Sequence, residues 1–169
     1  MTRRDFLIKW AVYGVALLPV WFLEQFVLNR FPILGAVPML LPLAAIATAV
    51  LEGSAAGAGY GLAVGVLWDA CALHSGGVII LGLTVLSMAA GIAAQYVLSQ
   101  GFAGCLICSA VTLAIIDAAR VLVGLARGEE ALVLLRMAGV EIVWSLVFVF
   151  PIFLLYRWIH SRTEVSTLF

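Results

Sequence analysis

Charge is scarce in this sequence. Of 169 residues, 9 are basic and 9 acidic, so charged residues make up only 11% and the formal net charge is zero. A soluble domain carries about 25% charged residues and about 45–50% apolar ones. Here 65% are hydrophobic, and a soluble domain of this length has no interior large enough to hide them. The scarcity therefore excludes an aqueous catalytic domain and points to an integral membrane protein. The missing positive excess argues against a nucleic-acid partner. Histidine is also rare, with only His74 and His160. Neither has a plausible nucleophile beside it, and no carboxylate pair flanks either in metal-ligand spacing. No phosphate loop is present. The sequence thus offers no catalytic residue, no metal site and no cofactor. The three cysteines are an odd number, and none lies in a long polar loop, so no disulfide framework is expected. Cys105-x-x-Cys108 has redox spacing but sits in an apolar run, where cysteine serves as a small apolar residue.

What is present is a series of apolar runs. At about 20 residues per span, they read as six transmembrane helices in one bundle. The spans fall at about 6–28, 33–51, 53–73, 78–98, 102–125 and 138–159, forming a single polytopic domain over residues 1–169. Residues 2–9 look like a twin-arginine export signal. However, Trp21, Phe22, Leu23, Glu24 and Gln25 stand where a small-residue cleavage site belongs, so the first helix is read as uncleaved. Pro38 and Pro42 mark the second span as irregular near its outer end and packed inside the bundle. Only Glu52 and its neighbours separate the second span from the third, which forces a hairpin. Within the connection 126–137, the stretch Glu129 to Arg136 reads as an interfacial helix. Tyr156 and Trp158 suit an interfacial belt at the end of the last span.

Six spans put both termini on one side. Arg3, Arg4, Lys9, Arg157 and Arg162 would then face Arg30, Arg127 and Arg136 across the membrane. The positive-inside rule places both termini in the cytoplasm.

Two features rise above this background. Gly53, Gly57, Gly61 and Gly65 recur at every fourth residue of the third span, and Asp69 takes the next place. Such a stripe lets another helix approach closely. At 3.6 residues per turn it winds around its helix, so a steeply crossing partner or two successive neighbours should follow it. The second feature is acidic. Glu24, Asp69, Asp117 and Glu141 all fall in the outer part of the membrane in this topology, and Arg120 follows Asp117 by three residues on one helical face. A carboxylate inside a span needs water, a partner or a proton. These residues are either helix-end groups reaching the interface or the lining of an outward pocket. In the second reading Arg120 balances Asp117 and Asp69, and the pocket takes a ligand or a partner's polar group.

The run Val37-Pro38-Met39-Leu40-Leu41, then Glu52-Gly53, then the glycine-stepped segment from Gly57 to Asp69, then Gly76-Gly77, resembles the MreD family of bacterial rod-shape-determining membrane proteins. The closing run from Phe150 to Arg157 is similar too. The chain departs from that pattern in His74-Ser75, in the second glycine of the turn and in its outer acidic set. The resemblance implies a non-enzymatic scaffold in the bacterial cytoplasmic membrane. Its partners would be an MreC-like protein, the peptidoglycan polymerase and transpeptidase pair, and MreB. It also implies a fold similar to the substrate-binding subunits of energy-coupling-factor transporters. The alternative function on that fold is binding of a small, vitamin-like molecule.

Overall fold

The computed structural model describes residues 3–30, 36–71, 77–98 and 101–165, without the side chains of 3–6 and 163–165. The turn residues His74, Ser75 and Gly76 and the start of the expected second span lie outside the described residues. The described chain is helical: α1 (Arg3–Phe22), α2 (Leu40–Glu52), α3 (Ser54–Cys71), α4 (Val78–Tyr96), α5 (Phe102–Ala126) and α6 (Ala131–Val165).

The helix α2 is the axis of the bundle. Its sequence, LLPLAAIATAVLE, has no polar face, and every residue from Leu40 to Val50 is buried. It packs against each of α1, α3, α4, α5 and α6. At 1.5 Å per residue its 13 residues cover only about 20 Å. The irregularity expected around the two prolines is present, because residues 36–39 are not helical and Met39 has extended backbone. Pro42 sits in the first turn, where a missing N–H leaves no intrahelical bond unmade.

The surrounding helices invert the soluble pattern and turn apolar side chains outward. In α4 the row Leu81, Val85, Met88 and Ile92 is exposed, while Leu83, Ser87, Ala90 and Ala94 face the bundle. In α1 the buried set is Tyr13, Ala16, Leu17 and Val20, one stripe at helical spacing. Four helical stretches are long and apolar enough to cross a bilayer: Leu7–Arg30, Val78–Tyr96, Phe102–Ala126 and Ala131–Arg162. The short α2 and the glycine-rich α3 fall outside that group, so by length and composition alone the described residues give four candidate spans among six helices.

The first span continues as one helical stretch to Arg30 but changes its winding, and two local expectations are corrected. After α1 the chain makes a π-helical turn (Leu23–Val27) and a 3-10 turn (Leu28–Arg30). The segment 129–136 is not a separate interfacial helix, because α6 starts at Ala131 and runs unbroken. Gly128, at φ +84°, closes α5 with bonds from its own N–H to the Leu125 carbonyl and from the Glu129 N–H to the Gly124 carbonyl. This cap is compact enough for α6 to begin within a few residues. Finally, Tyr156 is fully buried rather than interfacial, because it faces two other tyrosines in the core. Trp158 does lie outside, with Arg162 over its ring.

Candidate functional site

The N-terminus of α2 poses a local problem. A helix leaves its first N–H groups unpaired, and Val37, Pro38, Met39 and Leu40 provide no side-chain cap. The structure solves it from elsewhere in the chain. Glu24 Oε2 accepts the N–H groups of Leu40 at 2.8 Å and Leu41 at 2.7 Å. Ser145 Oγ on α6 accepts the Met39 N–H at 2.9 Å. Pro42 has none to offer. Glu24 can do this because the π-turn, with its longer period, places it on the buried side. The partial positive charge of the helix start favours a carboxylate there.

One turn before Ser145 on α6 lies Glu141. Its two oxygens accept from Arg120 Nη1, both at 3.0 Å. Arg120 also reaches Asp117 Oδ1, but at 3.5 Å, the weak end of hydrogen-bond range. The charge on Glu141 acts on both Asp117 and Glu24. Four of the five residues singled out for an outer polar group thus meet around the α5–α6 seam and the start of α2. Asp117 and Glu141 share one guanidinium, while Glu24 is engaged by the backbone at the start of α2. Arg120 is 60% exposed, whereas the side chains of Asp117 and Glu141 are 4% and 14% exposed. Asp117 Oδ2 is buried without a hydrogen-bond partner among the described residues. Among those residues no three His, Cys, Asp or Glu side chains converge as metal ligands.

Asp69 stands apart. It is half-buried near the end of α3, has a polar interaction of its own, and is not a partner of Arg120. Helices α2 and α4 stand between α3 and α5.

The glycines line the α3–α4 contact. A Cβ on Gly61 would lie 2.6 Å from Ser87 Oγ and 2.9 Å from the Leu83 carbonyl oxygen. On Gly65 it would lie 2.9 Å from Ile80 Cα, and on Gly57 2.5 Å from Ala49 Cβ. Gly53, at φ +96°, makes the tight turn between α2 and α3 and abuts Gln95 on α4. The stripe therefore follows α4 along its length, with α2 sharing it at Gly57.

A second polar group, which the sequence reading missed, sits at the opposite end of α2. Glu52 receives Lys9 Nζ on one oxygen, and Tyr13 Oη at 2.7 Å and His160 Nδ1 at 2.8 Å on the other. Tyr60 Oη donates to the Tyr13 carbonyl at 3.1 Å and receives Tyr156 Oη at 2.6 Å. Helices α1, α2, α3 and α6 are thereby tied at one level. The available signal was a lone Glu at a helix C-terminus, where the dipole opposes it and a cation must be near.

An apolar exterior, a polar seam near one end and a closed polar tie at the other define a helical membrane protein whose buried polar groups mainly join helices to one another. The family model described as rod shape-determining protein MreD matches residues 4–159, nearly the whole chain, and the chain belongs to the MreD family. No curated protein and no solved structure matches it.

Proposed function

We propose that this chain is a scaffold of the bacterial cell-elongation complex, holding an MreC-like protein beside the peptidoglycan polymerase and transpeptidase pair and MreB, with no catalysis of its own. The observation that carries this reading is the family match across residues 4–159. The structure supports it in two ways. Its outer surface is apolar on four long helices, and Glu141 and His160, which mark its two polar ends, lie about 28 Å apart along α6 at about 1.5 Å per residue. That separation fits a hydrocarbon core of about 30 Å.

On this reading the protein sits in the cytoplasmic membrane with both termini inside, and α2 and α3 complete a six-span bundle like that of transporter substrate-binding subunits. Shielded by its neighbours, α2 needs neither the length nor the continuous helix of a lipid-facing span, and irregular backbone is tolerated where protein covers it. Depletion in a rod-shaped host should turn cells round, and MreC should co-purify from native membranes. Rods that persist after complete loss, with no paralogue present, overturn the reading.

A further inference from the structure

We propose that the α5–α6 seam at Asp117, Arg120 and Glu141 is the receptor for one basic side chain carried on a partner's membrane helix. The inference rests on the scaffold reading and adds the chemistry of the contact. Charge complementarity supports it first: Asp117 and Glu141 share a single guanidinium, and an unbalanced carboxylate within a membrane is costly. Glu24 is committed to the start of α2, and Glu141 holds Arg120 with both oxygens. Asp117 is the underserved member. Among the described residues it has one long contact to Arg120, and its second oxygen is buried with no donor. A bare carboxylate oxygen in so deep a place calls for a donor from outside the chain.

Access is the second argument. Arg120 lies on the outside of the seam, so a donor entering beside it meets Asp117 and Glu141 from the surface the bundle turns outward. The flanks suit an apolar helix. Val123, three residues after Arg120, and Met137, four before Glu141, are both about half exposed. A lysine or arginine on an otherwise apolar helix satisfies both features, because its stem packs on the flanks while its head group supplies the donors.

The test uses the full-length chain reconstituted in phospholipid vesicles, with fluorescent Leu/Ala transmembrane peptides of about 20 residues. Two peptides differ only in carrying one Arg or one Gln near an end. The Arg peptide should bind about tenfold more tightly. Asp117→Asn with Glu141→Gln should erase that preference, and Arg120→Gln should enlarge it by leaving the carboxylates without their own cation. Equal binding of the two peptides to the wild-type chain overturns the receptor, as does a preference that survives the double substitution. Should the double variant fail to fold, Arg120→Gln decides alone: an enlarged preference supports the receptor, and an unchanged or lost one overturns it. Equal peptide binding by a chain that still restores rods to depleted cells overturns the receptor and leaves the scaffold standing, whereas round cells overturn the scaffold.

Discussion

The two ends of α2 use similar residues for opposite ends. At its C-terminus one carboxylate, Glu52, faces a lysine, a histidine and a tyrosine hydroxyl, and the donors come from α1 and α6. Each oxygen is served, and the group is largely covered. At its N-terminus Asp117 and Glu141 share one arginine that lies mostly outside, and one Asp117 oxygen has no donor among the described residues. A polar group in an apolar bundle holds helices together only when its bonds are complete. By that standard the Glu52 end is a clasp. The Asp117 end is incomplete, except where Glu24 caps the helix.

The sharpest way to break the comparison is to remove the clasp. Glu52→Ala leaves Lys9 and His160 facing each other without an anion. The loss of one partner from a buried pair is expected to cost about 3–5 kcal/mol. The measurement is unfolding of the purified protein in detergent or nanodiscs, and a loss below 1 kcal/mol would remove the distinction between the ends.

Next comes Glu24→Ala, which orphans two buried N–H groups. Each orphaned N–H at a helix start costs about 1–2 kcal/mol, so a loss of about 2–4 kcal/mol is expected, with amide exchange rising at Leu40 and Leu41. Glu24→Gln keeps a carbonyl acceptor and should lose less. Equal losses for the two variants would show that charge rather than the cap is at work.

Gly61→Leu follows. Its side chain must enter the space of Ser87 and Leu83, and overpacking costs about 1–3 kcal/mol. Gly59, which has open space around it, is the internal control. Gly59→Leu should leave stability unchanged, and equal effects at both positions would argue against the α3–α4 contact.

The smallest effect on stability belongs to Asp117→Asn, at about 1 kcal/mol or less, since among the described residues the native carboxylate has one long bond. A large destabilisation would mean that Asp117 is a structural clasp too.

The sequence was informative where a pattern is local and silent where it is not. The bounds of α4 and α5 could be read from apolar length and flanking glycines, and the prolines marked the irregular entry to α2. The pairing of Arg120 with Asp117 follows from a three-residue step on one helix. Glu24, Asp117 and Glu141 were placed at one level because helix rise is constant. The clasp was not legible, because Lys9 and His160 lie 43 and 108 residues from Glu52 in the chain. In sequence they read as ordinary basic flanks of two spans. Tyr156 misled for a related reason. Tyrosine near a span end suits the interface, and only the proximity of Tyr13 and Tyr60 explains its burial. The π-turn left no mark in composition, although it is what brings Glu24 to α2.

The claim that one end of α2 is built for stability and the other for binding is tested most directly in a single preparation. The Asp117→Asn, Glu141→Gln chain would be expressed in rod-shaped cells depleted of their own MreD. Its unfolding midpoint and the amount of MreC retained on purification would then be measured together. The account predicts a midpoint close to the wild-type value and a marked loss of MreC. Full retention of MreC, or a midpoint that falls in step with retention, would contradict it.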